Sequence, residues 1–335
     1  MKKIRVAVLG TSHVHLRDHL AVIAQDPEAE LVALHAGAPV TGATSLAAAQ
    51  PSPPAEQALE HADAAVIAST TAEHQRLLEL TSAAGVPTLM EKPLGTTALA
   101  AGRLTPLLAT TPVPSTTAMF LRCAPALRRV RTLLAQGELG PVAHVHARFT
   151  HPGFLDDIFA GAAAWMLTRE HGGTGGFADL GIHLIDLLGW LAPGRELQVR
   201  AAELTRRHGC TLDVGGLALL TWGASPVSLH AGWTSRPGGF LLRIEGEQAT
   251  VEVGAHGTEL SVATDRSGRI HSERHPPIRA GAALEAFLDH LRGRSRWEAP
   301  TPAEIESTAR LLDTVETAVG GPADKNQLPG DGATF

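Results

Sequence analysis

A lysine at the end of a short apolar run is the first side chain in this sequence whose position suggests chemistry. Residues 88–91 read Thr-Leu-Met-Glu, and Lys92 and Pro93 follow. Pro93 has no backbone N–H and keeps the preceding residue extended, so Lys92 is predicted to lie in a loop. Open α/β sheets hold ligands at the carboxyl ends of their strands, so this lysine is predicted to face a ligand. The alternative is a solvated lysine in a strand–helix turn.

A second group of polar side chains recurs at helical spacing further along the chain. After a glycine-rich run at 172–176, the sequence reads Asp179-x-Gly-x-His183-x-x-Asp186. At about 100° per residue, the three polar side chains lie within roughly 60° of one another on one helix face. Leucines form the neighbouring stripe and must face the core, so the polar face can open onto a cleft. A helix-capping aspartate beside a buried histidine is the alternative explanation.

Composition and charge restrict the class of protein. The 335 residues are 44% hydrophobic and 19% charged, as in globular enzymes of one or two domains. The net charge of −6 and the scattered basic residues argue against a nucleic-acid partner. No apolar run approaches the ~20 residues that cross a bilayer, and the stretch at 4–9 is too short for a signal peptide. With only two cysteines, we expect a cytoplasmic protein without disulfides, and no membrane partner.

Strand-like and helix-like segments alternate through the first part of the chain. Helical patterns follow residue 10, at 72–84 and at 99–108. The predicted strands span residues 4–9, 31–34, 64–68, 86–90 and 115–120. Such alternation with short turns predicts a doubly wound parallel sheet, the Rossmann dinucleotide-binding architecture, over residues 1–120.

From residue 121 onward the pattern changes to β-rich segments separated by glycine and proline turns. These segments span residues 141–150, 197–207, 212–222, 226–235, 239–246, 248–254 and 257–264. They predict an α+β domain over 121–335 with a large, mainly antiparallel open sheet. One face of such a sheet packs on helices, and the other is free for a partner subunit, so we expect a homodimer or homotetramer.

The turn after the first strand departs from the Gly-x-Gly-x-x-Gly fingerprint. Gly10 is present, but Ser12 and His15 stand where the second and third glycines belong. Gly10, Thr11, Ser12 and the amides of the following helix can still bind pyrophosphate. His13 is predicted to contact a phosphate or a ligand. His15 and His19 share a helix face at a spacing that suits a metal, but with few carboxylates nearby we predict no metal site.

The ribose end of the predicted cofactor site lacks its usual acid. An NAD site carries Asp or Glu about twenty residues beyond the turn, and an NADP site favours arginine. The stretch 31–55 contains no Asp, Glu, Lys or Arg, and only His35, Thr41 and Ser45 could contact a ribose. We therefore expect weak dinucleotide binding with little preference between NAD and NADP.

Three motifs together resemble a known family in their order and spacing. They are Ala-Val-Ile-Ala-Ser-Thr-Thr-Ala-Glu-His at 65–74, Glu-Lys-Pro at 91–93 and Asp-x-Gly-x-His at 179–183. They resemble the glucose–fructose oxidoreductase/inositol dehydrogenase (Gfo/Idh/MocA) family, and the resemblance covers nearly the whole chain. It implies an oxidoreductase that uses NAD or NADP. The implied reaction oxidises a CH–OH group of a sugar, cyclitol or related polyol, or reduces the ketone.

The resemblance also implies roles for individual residues. His183 is the implied general acid/base, Lys92 stabilises the substrate oxygen, and Asp179 orients His183 or binds a neighbouring hydroxyl. The cofactor contacts that it adds are Ser69, Thr70, His74, Glu91, Lys92 and Pro93. The substrate contacts are Arg122, Trp165 and Asp186, although Trp165 could equally belong to the core.

Two other classes of protein stay open. One is an enzyme on the same scaffold that performs proton transfer without redox chemistry, with or without a metal. The other is a non-catalytic, sugar-responsive sensor. The missing glycines and ribose acid favour either alternative, whereas the combination of Lys92, Asp179 and His183 argues against a sensor.

Overall fold

The first half of the chain folds around a parallel sheet. The computed structural model describes residues 2–37, 52–110, 114–208, 210–254, 257–264, 269–294 and 297–318. Within these ranges the sheet contains β1 (Ile4–Leu9), β2 (Ala29–His35), β3 (Ala64–Ile67), β4 (Thr88–Met90) and β5 (Ser115–Thr117). Its strands are parallel and follow the order β2-β1-β3-β4-β5. The predicted doubly wound sheet is confirmed, and its order reverses at β1, where such sheets bind ligands.

Helices cover this sheet on both sides, which is why its central strands are apolar throughout. The helices are α1 (Leu16–Gln25), α2 (Ala55–Leu59), α3 (His74–Ala83) and α4 (Ala98–Thr110). The predicted strand at 115–120 is too long. The amide of Met119 turns back to the carbonyl of Thr117 instead of continuing the ladder, and a 3₁₀ turn follows at Phe120–Cys123.

The second sheet is larger and open. Its described strands are β6 (Val142–Thr150), β7 (Leu197–Arg206), β8 (Asp213–Trp222), β9 (Ser225–Gly232), β10 (Gly239–Gly246), β11 (Ala249–Gly254), β12 (Glu259–Thr264) and β13 (Arg269–Arg274). They follow the order β13-β12-β11-β10-β6-β9-β8-β7. Among these pairs, β6 and β9 are parallel and the others antiparallel. This confirms a mainly antiparallel sheet. The prediction missed β13, because its charged sequence shows little apolar alternation.

Four further helices complete the described fold: α5 (Pro125–Ala135), α6 (Gly176–Leu191), α7 (Ala282–Leu291) and α8 (Pro302–Ala318). Helix α6 lies across β6, β8 and β9, and it is apolar on nearly every side, as expected of a buried helix. The carboxylate of Asp213 accepts the Phe177 amide N–H at 2.7 Å and so caps the start of α6. Within the described ranges, no helix is both long enough and apolar enough to cross a bilayer.

The last helix returns to the first half of the chain. Helix α8 packs against α4 as well as α6, and Asp313 on α8 accepts the Ala98 amide N–H at the start of α4 at 2.8 Å. The C-terminal part of the chain therefore supports both sheets. A domain boundary at residue 120 stays a prediction.

Candidate active site

Lys92 lies just beyond the carboxyl end of β4 and reaches the first turn of α6. Its ammonium donates to the carboxylate of Asp179 and, at 3.0 Å, to the backbone carbonyl of the same residue. The indole N–H of Trp233 donates to the other carboxylate oxygen at 2.8 Å. Burial acts to raise the pKa of Asp179, but the charge of Lys92 and the hydrogen bonds from Lys92 and Trp233 together outweigh it and hold that pKa well below its usual range. The carboxylate thus fixes the direction of the ammonium.

This pairing changes the predicted role of Asp179. The sequence placed Asp179 beside His183, one turn away on the same helix face, as its orienting group. In the structure both carboxylate oxygens are used by Lys92 and Trp233. In this conformation Asp179 is therefore paired with the lysine rather than with the histidine. A role in orienting His183 or in binding a neighbouring hydroxyl stays a prediction.

His183 is enclosed by aromatic rings. It is 1% exposed, and its ring centroid lies 4.5 Å from that of Phe120 and 5.9 Å from that of Phe149. Its Nδ1 has no hydrogen-bond partner among the described residues. Burial, followed by the positive charge of Lys92, lowers the pKa of His183 well below its ordinary value. The imidazole is therefore neutral near pH 7 and able to accept a proton.

Arg122 and Asp186, both predicted to contact substrate, contact each other instead. The guanidinium donates to the two carboxylate oxygens at 2.6 and 2.8 Å, and both side chains are 2% exposed. Glu304 lies 3.4 Å away on the other side of the guanidinium. The ion pair joins the 3₁₀ turn after β5 to α6, and both charges are satisfied inside the protein. A contact with substrate stays a prediction.

The three histidines near the first turn converge on Glu91. The Nε2 atom of His19 lies 2.6 Å from one carboxylate oxygen, and Nδ1 of His15 lies 3.4 Å from the same oxygen. The Nε2 atom of His13 lies 3.6 Å from the other oxygen. Burial acts to raise the pKa of Glu91, but His13 and His15 outweigh it, so the net shift is downward. Burial lowers the pKa of His13 to about 3.

The convergence of the histidines on Glu91 explains why the turn after β1 departs from the glycine fingerprint. His13 was predicted to contact a phosphate, but its Nε2 faces Glu91, and its Nδ1 accepts the His15 amide N–H at 3.2 Å. His15 stands where a glycine was expected because its ring reaches the same carboxylate. The predicted contact between Glu91 and a cofactor is not tested by this geometry.

The phosphate loop keeps the features that pyrophosphate needs. Gly10 has φ +93°, and a Cβ there would lie 2.4 Å from the Ser69 Cα, so only glycine fits. Thr11 donates its hydroxyl to the Ala36 carbonyl at 3.0 Å and fastens the loop to the end of β2. The Ser12 hydroxyl is buried and has no partner within the part of the chain described. That orphaned donor fits a phosphate oxygen, with the start of α1 beyond it.

A carboxylate that sequence reasoning missed lies at the ribose end. Glu73 follows β3, yet one of its carboxylate oxygens would lie 2.8 Å from a Cβ built on Gly37, just past the end of β2. The same Cβ would lie 3.3 Å from the Gly10 Cα, so Glu73 borders the phosphate loop. His35, in contrast, uses its Nδ1 on the Pro53 carbonyl at 2.9 Å. The predicted ribose contacts Thr41 and Ser45 fall outside the described residues.

Two predicted cofactor contacts serve the protein instead. The Nδ1 atom of His74 hydrogen-bonds the Pro93 carbonyl at 2.9 Å, which anchors the loop carrying Lys92. Burial lowers the pKa of His74 to about 4. Ser69 donates its hydroxyl to the Thr70 carbonyl at 3.0 Å. Whether any of these residues also touches a cofactor stays a prediction.

The segment between β6 and α6, residues 151–175, lies over Lys92 and Asp179. Trp165 in this segment donates its indole N–H to the Ser12 carbonyl at 2.9 Å, and the His171 carbonyl accepts the Ala72 amide N–H at 3.3 Å. A cavity of about 10 Å³ remains beside Lys92, room for about one water. Trp165 was predicted to contact substrate or to pack in the core. In this conformation its hydrogen bond attaches the 151–175 segment to the phosphate loop.

The site combines an open parallel sheet, a glycine turn, a buried hydroxyl without a partner among the described residues, and a carboxylate beside the end of β2. These features fit a dinucleotide and indicate a nucleotide-binding oxidoreductase. Two family models match the chain. Residues 4–117 match the oxidoreductase family with an NAD-binding Rossmann fold, and residues 127–252 match the GFO/IDH/MocA C-terminal domain. The chain belongs to the Gfo/Idh/MocA family and is an NAD(P)-dependent dehydrogenase or reductase. No curated protein sequence matches it significantly.

Solved structures share this fold over nearly their full length. An inositol dehydrogenase homologue from Azotobacter vinelandii complexed with NAD⁺ gives a TM-score of 0.76 at 16% identity over 96% of each chain. The WlbA dehydrogenase from Bordetella pertussis, in complex with NADH and UDP-GlcNAcA, gives 0.74 at 24% identity over 95% of this chain and 96% of that one. The 3-ketoreductase KijD10 from Actinomadura kijaniata, with TDP-benzene and NADP, gives 0.71 at 21% identity over 95% and 98%. At these identities the likeness shows the fold.

Proposed function

We propose that this enzyme oxidises a CH–OH group of a sugar, cyclitol or related polyol, or reduces the corresponding ketone. The observation that supports this most directly is the buried ion pair of Lys92 with Asp179, which lies one turn before the neutral imidazole of His183 on α6. Proton removal from a hydroxyl group needs a base and a cation that stabilises the charge developing on oxygen. Related structures that hold UDP-GlcNAcA or belong to an inositol dehydrogenase homologue support the substrate class.

Each residue has a separate task in this proposal. When bound, NAD(P) supplies the hydride acceptor. Lys92 donates a hydrogen bond to the substrate oxygen and stabilises its negative charge. His183 accepts the hydroxyl proton on its imidazole and returns it in the reverse direction. Asp179 acts through Lys92, whose direction it fixes, and is therefore a positioning residue.

A panel of substrates tests the reaction class. The enzyme is incubated with NAD⁺ or NADP⁺ and with sugars, cyclitols and nucleotide sugars, and formation of the reduced cofactor is followed by its absorbance. Ketones are tested in the reverse direction. Hydride transfer with one of these polyols supports the proposal. Failure with every polyol and ketone, by protein that demonstrably binds the cofactor, would favour the non-redox alternative.

We also propose that Glu73 replaces the missing ribose acid and makes the enzyme prefer NAD. Its carboxylate lies over Gly37, at the end of β2, where acids in this architecture bind the ribose hydroxyls. A 2′-phosphate at that position would meet a negative charge. Arg76 lies 3.1 Å from the carboxylate but is largely exposed, so solvent screens its charge. This proposal replaces the expectation, drawn from the sequence, of weak dinucleotide binding with little preference between NAD and NADP.

Substituting Glu73→Gln should weaken NAD⁺ binding about 10–100-fold, the effect of losing one charge-assisted hydrogen bond. NADP⁺ binding should stay constant or tighten, because the repulsion is removed. Calorimetric titration of both cofactors measures this without turnover. Glu79→Gln, on the exposed side of α3, is the matched control. Unchanged NAD⁺ affinity in the Glu73 variant would exclude this residue as the ribose acid.

The open face of the second sheet is the surface through which we propose that the chain forms homodimers or homotetramers. Leu217 and Leu219 on β8 point to the same side of the sheet and are 43% and 47% exposed. Exposed apolar side chains on the uncovered face of an antiparallel sheet mark an association surface.

The double substitution Leu217→Asp/Leu219→Asp should convert the oligomer into a monomer, because it places charges in an apolar interface. Light scattering coupled to size-exclusion chromatography measures the mass. Leu99→Asp, at an apolar side chain of α4 that is 68% exposed, is the control and should leave the mass unchanged. A wild-type monomer throughout the micromolar range would contradict this assembly.

A further inference from the structure

We propose that His13, His15 and Glu91 form a binding site for a divalent transition metal such as Zn²⁺. One ligand atom from each residue lies within 4.8 Å of the others. The two histidine–carboxylate distances, 3.6 and 3.4 Å, are too long for good hydrogen bonds. They run to the two different oxygens of the Glu91 carboxylate, and each is close to the roughly 3.3 Å that separates neighbouring ligands around a zinc with bonds of about 2.0–2.1 Å.

The burial of these groups is the second observation. His13 and Glu91 are 4% and 1% exposed, and Nε2 of His13 has no hydrogen-bond partner among the residues that the structure describes. A buried polar atom is rarely left without a partner, and a cation between the three side chains would satisfy it. His19 hydrogen-bonds the carboxylate oxygen that His15 faces, at 2.6 Å, as groups behind metal ligands commonly do.

The donor set indicates the class of metal. Two imidazoles and one carboxylate suit Zn²⁺ and its transition-metal neighbours, whereas Mg²⁺ and Ca²⁺ prefer oxygen ligands. Three protein ligands leave a position open, as in catalytic zinc sites. His13 and Lys92 line the same small cavity, so the open position borders the catalytic lysine. The spacing in the sequence suggested His15 and His19 as the two histidines that could share a metal. The structure instead brings His15 and His13 together as candidate imidazole ligands.

Metal binding requires one local change. An imidazole bound through Nε2 carries its proton on Nδ1, but Nδ1 of His13 accepts the His15 amide N–H at 3.2 Å. That single hydrogen bond has to open. Its loss is small compared with the gain from three metal–ligand bonds.

Titration of chelator-treated, untagged enzyme with Zn²⁺ tests the site without cofactor or substrate, and so independently of the proposed reaction. We expect one ion per chain, and His15→Ala should weaken binding at least about 100-fold, since one of three ligands is lost. The side chain of His15 is 21% exposed, so this substitution is well placed to be tolerated. His146→Ala is the control, because His146 pairs with Ser228 on the second sheet.

X-ray absorption of the zinc-loaded wild-type enzyme is the second measurement, and it needs no variant. Two imidazole nitrogens and carboxylate oxygen around the ion support the proposal. A different ligand set, the absence of stoichiometric binding, or unchanged affinity in a folded His15→Ala variant would overturn it.

Discussion

Replacing Lys92 with methionine or His183 with asparagine is expected to reduce turnover roughly 10²–10⁴-fold, the usual effect of removing a positioned acid–base group. Methionine keeps an apolar stem of similar length but cannot donate to the substrate oxygen. Asparagine keeps a polar side chain but cannot accept a proton near pH 7. Turnover is measured on the substrate that the polyol panel identifies, and the fold and the oligomeric state should be preserved.

The Lys92→Met variant needs a second variant as its control, because the single substitution leaves the buried Asp179 carboxylate without its cation. The double variant Lys92→Met/Asp179→Asn removes both charges, and its activity should stay as low as that of Lys92→Met. His146→Asn controls for loss of a histidine outside the site. A folded variant of either catalytic residue that retains more than about a third of wild-type turnover would rule out the assigned role, given the size of the expected loss.

The substitution Arg122→Met is expected to destabilise the protein by about 3–5 kcal/mol, because it leaves the buried Asp186 carboxylate unpaired. Both side chains are 2% exposed, so solvent cannot replace the lost partner. Urea denaturation measures the free energy of unfolding. The effect should be one of stability, with the Michaelis constant for substrate unchanged.

A double variant separates the contribution of the Arg122–Asp186 ion pair to stability from the cost of leaving one buried charge unpaired. Arg122→Met/Asp186→Leu removes both charges, and similar-sized apolar replacements are often nearly neutral, so most of the lost stability should return. A loss below about 1 kcal/mol in Arg122→Met, accompanied by a higher Michaelis constant, would instead favour the predicted substrate contact over the structural role.

Local sequence patterns were sufficient to predict the fold. The strands of the first sheet are short apolar runs between helical segments, and that pattern is visible without any tertiary information. Predictions failed where tertiary contacts decide the outcome. The strand β13 carries mostly polar and charged residues, and the chain after Thr117 leaves the sheet in a turn.

The sequence located the candidate catalytic residues, but it did not predict which side chains they contact in the structure. Helical spacing placed Asp179 beside His183, but a lysine from a distant strand takes the carboxylate. Glu73, the proposed ribose acid, was missed because the search for such an acid follows β2, whereas Glu73 reaches Gly37 from the turn after β3. No local sequence pattern indicates that His13, His15 and His19 all face the carboxylate of Glu91.

The hydrogen bond from Trp165 to the Ser12 carbonyl has a kinetic consequence. The cavity beside Lys92 holds about one water, so we expect that a nicotinamide ring or a polyol reaches Lys92 only after the 151–175 segment moves aside. Because the same tryptophan covers the phosphate loop, one opening motion exposes both compartments. We expect that motion to set an upper limit on turnover. The chain has five tryptophans, so the part of the emission that is lost in Trp165→Phe would report the motion.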